Sequence, residues 1–205
     1  MKRAVASALG VIAAMIASGA ATAMDPRHPD WPCQQIEVPQ LSVAAFWNGP
    51  AIDDVRDAWK NDAAIEDLVV RLAARRTPLN DAEKAAADFV TGTKAEKESK
   101  AKLLFAGLFA TLSNERTQVM NGIERFSRRQ QDLRKKISAE LTQLRTHEDA
   151  SKQDPGAIDK LGNQVAWDTR IFDERRHTIG YVCEVPSTIE RRLFALARAI
   201  QQKLE

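Results

Sequence analysis

Two stretches of seven-residue apolar repeat, separated by one proline-containing bend, set the tightest limit on how this chain folds. In the first, Phe105, Leu112, Val119, Phe126 and Leu133 recur at heptad spacing. Phe109, Ile123, Ile137 and Leu144 form an interleaved series interrupted by Arg116 and Gln130. In the second, Ile158, Val165, Phe172 and Ile179 repeat at the same interval. Leu161 and Val182 belong to its partner series, which Asp168 and Arg175 interrupt. Heptad spacing puts each set on one stripe of a helix, and so long a stripe has to be covered. Between the two lie the polar run Thr146 to Gln153 and then Asp154-Pro155-Gly156, an N-cap followed by proline at the first helical position. The simplest cover is an antiparallel hairpin of arms 94–147 and 155–185. A turn near residue 151 predicts Leu144 beside Ile158, Leu133 beside Thr169, and Phe126 level with Arg176. A homodimer sharing the seam between two chains is the intermolecular alternative.

The flanks also read as helix. Asp53 opens a segment running through Trp59. Asn61 or Asp62 caps a second, with Ile65, Leu68, Val69 and Leu72 on one face, and Pro78 stops it after Arg75-Arg76. Asn80-Asp81-Ala82-Glu83 resembles a capping box for a helix to Val90, and Thr93-Lys94-Ala95-Glu96 a further one. Val185-Pro186 is expected to end the second arm. Ser187-Thr188-Ile189-Glu190 then opens a final helix, 187–204, with the stripe Ile189, Leu193, Leu196 and Ile200. With aromatics at only 6%, the composition turns away from β-sandwiches and barrels. The expected fold is all-α: residues 53–205 form one helical domain, a small base from which the coiled-coil hairpin projects.

The N-terminus reads as an export signal. Lys2 and Arg3 precede a short Ala-rich apolar stretch, and Ala21-Thr22-Ala23 has the small-x-small form of a cleavage site, so residues 1–23 are expected to be removed. That leaves no transmembrane segment and a periplasmic or secreted location. The leader carries two of the 30 basic residues and none of the 28 acidic ones, so the remainder is balanced at 28 of each. Such a balance argues against bulk nucleic-acid binding. Residues 24–52 hold Pro26, Pro29, Pro32, Pro39 and Pro50, which forbids a long helix, yet they keep enough apolar side chains to lie against a body as an extended arm. Outside the cytosol the two cysteines, Cys33 and Cys183, are most simply a disulfide tying this arm to the root of the second helical arm.

Chemistry is sparse. The three histidines, His28, His147 and His177, lack metal-ligand spacing, and Asp25, His28 and Asp30 are as easily a solvated leader as a metal set. No nucleophile elbow, phosphate loop or paired catalytic carboxylates stand out, so neither an enzyme nor a cofactor is indicated. The one electrostatic feature is a basic belt across the hairpin. Arg125, Arg128, Arg129, Arg134, Lys135 and Lys136 stand on the first arm, and Arg170, Arg175, Arg176 and His177 on the second. It reads either as an ordinary coiled-coil flank or as a docking surface for an acidic protein or anionic lipid head groups. The function these features suggest is an exported interaction module: adaptor, assembly factor or chaperone-like protein. The alternative is a small-molecule or metal-binding protein with a pocket between arm and base, lined by Trp31, Phe46, Trp47 and Trp59.

Overall fold

The computed structural model describes residues 28–205, so the expected leader at 1–23 and the start of the arm lie outside the described residues. The described chain is all-α, with four helices: α1 Ala63–Ala73, α2 Leu79–Phe89, α3 Lys94–Glu148 and α4 Pro155–Gln201. No strand occurs among the described residues.

Local chemistry explains most of the boundaries. Asp62 caps α1, its carboxylate accepting the N–H groups of Ala64 and Ile65 at 2.9 and 3.3 Å. The capping box at α3 is complete: Thr93 accepts from the Glu96 N–H, and the Glu96 carboxylate accepts from the Thr93 N–H at 2.7 Å. Gly92, at φ +116°, makes the turn before it, in a region closed to most side chains. Asp154 caps α4 through Gly156 and Ala157, with Pro155 in the first turn.

Three boundaries differ from expectation. The segment from Asp53 forms two 3₁₀ turns, Asp53–Val55 and Ala58–Asn61, because a stretch this short cannot nucleate a free helix and instead turns to bury Trp59. α2 starts at Leu79, with the Pro78 carbonyl accepting from Ala82, and the expected box at Asn80 makes no side-chain cap. Most consequentially, no break occurs at Pro186. α4 runs through it, and Ser187-Thr188-Ile189-Glu190 is helix interior rather than an N-terminus. Pro186 is buried and leaves the Val182 carbonyl without its ordinary donor. The neighbouring Cys183 carbonyl takes a hydrogen bond from the Gln35 side chain, and the Thr188 hydroxyl donates to Glu184. Burial of the ring and the arm's hold on Cys183 thus offset an interior proline that would break an isolated helix.

The base packs α1, α2 and the 3₁₀ turns against the first third of α3 and the last third of α4. Val69, Leu72, Leu104, Phe105, Leu108, Leu193 and Ile200 are fully enclosed. Trp47 stacks on Phe105, ring centroids 4.3 Å apart and 9° from parallel. Gly107 lets Trp59 and Val69 approach α3: a Cβ there would lie 2.6 Å from Val69 Cγ2 and 3.0 Å from the Trp59 ring.

Above the base, α3 and α4 pair antiparallel in the expected register. Gln130 donates to the Phe172 carbonyl at 2.7 Å, and Lys136 meets Asp168 at 2.7 Å. At 1.5 Å per residue the 55 and 47 residues of α3 and α4 make rods of about 80 and 70 Å, far longer than the base needs. Three of the four polar interruptions of the seam are themselves paired, and the fourth, Arg175, is exposed. Arg116, buried, binds Glu190; Asp168, 5% exposed, accepts from Lys136 and Gln164; Gln130 is capped by a main-chain carbonyl.

Candidate functional site

The stalk's root is where arm, α3 and α4 converge. Cys33 and Cys183, 150 residues apart, stand at disulfide distance, S–S 1.98 Å with Cα atoms 5.6 Å apart. Trp31 packs beside them on Met120 and Ile123, and its indole N–H donates to the Gln35 carbonyl at 2.7 Å. Farther out, Asp30 binds Arg128 at 2.9 Å and the Pro29 carbonyl accepts from Gln131. His28 Nδ1 lies 2.7 Å from Glu37, whose side chain is 8% exposed. Burial pushes the Glu37 carboxyl up, its hydrogen bond with Glu124 adds to that, and His28 opposes both. The arm is therefore a strap along the stalk, fastened covalently at its middle and by side chains at either side. Not all of it lies inward: Ile36 and Val38 face solvent.

The belt divides in two. Arg128 is engaged by Asp30 and, at 3.6 Å, by Glu124; both carboxylates raise its pKa, the Asp30 hydrogen bond most. Lys135 sits 3.6 Å from Asp132, Lys136 is taken up by Asp168, and Arg170 pairs with Glu174 at 3.0 Å. These are contacts within the hairpin or, for Arg128, with the arm strapped along it. Arg125, Arg129, Arg134, Arg175 and Arg176 are exposed, and among the described residues none has a carboxylate within 4 Å. The pairing of the arms sets Arg125 and Arg129 at the levels of Arg175 and Arg176. On α4, Trp167 and Tyr181 project into solvent, 60% and 81% exposed.

The four aromatic residues expected to line one pocket are dispersed. Trp31 belongs to the root cluster, while Trp47 and Trp59 are core of the base. Phe46 packs edge-on to Phe109, centroids 6.5 Å apart, and its carbonyl accepts from Gln201. A hollow of about 680 Å³ does lie between the end of the arm and α3, but of the four only Trp47 lines it. His28 and Asp30 are bound to Glu37 and Arg128 rather than to each other, and no group of three metal-ligating side chains occurs among the described residues. No helix among the described residues is long and apolar enough to cross a membrane.

Sequence reasoning missed three residues that organise the site. Arg192 is buried and reaches two main-chain carbonyls, Leu72 in the last turn of α1 at 2.7 Å and Thr77 beyond its end at 3.0 Å. Burial pushes its guanidinium pKa down, and Glu115 partly opposes that. Glu190 and Gln35 complete the contacts of Arg116 and Cys183. Arg192 could have been suspected from its place within an otherwise apolar stripe; the other two carry no local signal.

Comparison with family models, with curated proteins and with solved structures found no match to this chain, so its reading rests on its own residues.

Proposed function

We propose that this chain is an exported interaction module whose hairpin presents a basic face to an acidic protein partner. The observation that carries the reading is the set of five exposed arginines, Arg125, Arg129, Arg134, Arg175 and Arg176, with no carboxylate within 4 Å among the described residues, on a stalk that extends well past the core. A rod that long adds little to the base, and unpaired guanidinium groups at matched levels on two rigid helices suit carboxylate recognition. Trp167 and Tyr181 supply the aromatic anchors that interfaces favour. Cleavage after Ala23 and an oxidising compartment, the periplasm or the exterior, belong to the same proposal, supported by the Cys33–Cys183 pair.

Crosslinking of the native protein with mass spectrometry tests it, together with a quadruple charge reversal, Arg125→Glu, Arg129→Glu, Arg175→Glu and Arg176→Glu. The expected result is crosslinks from the stalk to acidic segments of one partner, lost in the variant while helix content stays the same. Crosslinks that persist unchanged in the variant, or a native protein that light scattering shows to be solitary, would overturn the reading.

A further inference from the structure

A cleft in the base, on neither the stalk nor the arm, has the makings of a ligand site. It opens where the α1–α2 connection meets α3 and α4, and holds about 390 Å³, within the range of small-molecule sites. Its floor is apolar: Ala73, Leu112 and Ile189 are almost wholly shielded, and Leu79 forms a partly exposed wall. Its rim is not. Arg75 bridges to Glu115 through two nitrogens at 2.9 and 3.2 Å, Arg191 reaches only the Thr188 hydroxyl at 3.2 Å, and Arg192 stands at the back on main-chain carbonyls. Three guanidinium groups thus face one carboxylate, and that carboxylate is already taken. Arg191 has no anionic partner within 4 Å among the described residues.

An apolar floor under an uncompensated cationic rim asks for a molecule with both characters. We infer that this cleft binds a small carboxylate with an apolar tail, the tail on Leu79, Leu112 and Ile189 and the carboxylate at Arg191, with Arg75 free to turn from Glu115 towards it. Arginine suits that role because its planar fork matches a carboxylate in two parallel hydrogen bonds. A purely neutral apolar ligand would leave the rim unused, and a compact polar anion would leave the floor wet. Arg192, buried and short of counter-charge, gains from an anion nearby.

Decanoate and decanol, matched in tail and differing in head group, provide the probes, with calorimetric titration and thermal melting of the full chain as readouts. Decanoate is expected to bind saturably, one per chain, and to raise the melting temperature; decanol should bind at least tenfold more weakly. Arg191→Glu, at an exposed position, should weaken decanoate at least tenfold and leave decanol unchanged. Leu79→Trp should block both. Absence of saturable decanoate binding, equal affinity for the two probes, or full binding by Arg191→Glu would each overturn the inference. Should Leu79→Trp lose helix content, the Arg191→Glu comparison decides. None of these readouts depends on the stalk or on a partner protein, so this test and that of the interaction surface fail separately.

Discussion

Asp168 shows how one side chain turns an apparent flaw of the pattern into a contact that sets register. It interrupts the heptad series, yet in the seam it receives Lys136 and Gln164, and the Lys136 hydrogen bond, with that of Gln164, holds its carboxyl below the usual carboxylate range. Asp168 in turn raises the Lys136 ammonium. A carboxyl depressed in the folded state contributes stability that is present above its unfolded value, about 3.9, and is lost as pH falls through the folded value. A raised ammonium contributes below its ordinary value and loses that contribution as pH climbs past it. The pair is therefore constant through neutrality and fails first on the acid side, below about pH 4. Asp168→Asn should lower stability at neutral pH and lack part of the acid-dependent loss of the wild type. Urea midpoints taken from pH 2 to pH 7 check this, and parallel curves for the two proteins would show that the carboxylate contributes nothing.

At the scale of elements, the arm and α4 depend on each other. Pro186 would ordinarily end a helix, and the sequence signal after it, Ser187 to Glu190, reads equally well as a new start. What decides is tertiary: the ring is buried, and the arm delivers Cys33 and Gln35 to Cys183, three residues before it. Neither contact has a local signature, which is why the break was expected and is absent. The caps at Asp62, Thr93 and Asp154 were legible because each is satisfied within three residues of its own position. The tryptophans were legible only as apolar side chains, since which cluster each joins depends on long-range packing. The double substitution Cys33→Ser and Cys183→Ser should cost about 2–4 kcal/mol. Because Trp31 sits in the small root cluster, apart from the base core, its release should appear as a red shift in tryptophan emission with base helices intact. Unchanged emission and an unchanged urea midpoint would mean that the side-chain fastenings alone hold the strap.

For the whole molecule, the distribution of burial separates a base that supplies the stability from a stalk that supplies reach. The enclosed apolar side chains of α3 end at Ile123 and those of α4 begin at Cys183. Farther out, the seam is half-buried, and its fully shielded members are the polar Ser127 and Asp168. The antiparallel register was readable in advance because a seven-residue period allows only pairings that keep both stripes facing, and Gln130–Phe172 and Lys136–Asp168 lie on that pairing. The same geometry predicts how the stalk tolerates shortening. Residues 137–143 lie opposite 159–165, one heptad on each arm. Deleting both segments removes two matched turns from each helix, keeps Asp154 at the cap, and preserves the seam on either side, so the melting temperature should change little. Deleting 137–143 alone leaves α4 a heptad too long beyond the Lys136–Asp168 pair and forces the outer stalk apart. Hydrogen exchange should then show fast amides in 144–165 while the base around Leu104 and Leu193 stays protected. If the one-sided deletion instead exposed the base as readily as the stalk, the two would form one cooperative unit, and the stalk would be part of what holds the fold rather than an extension built on it.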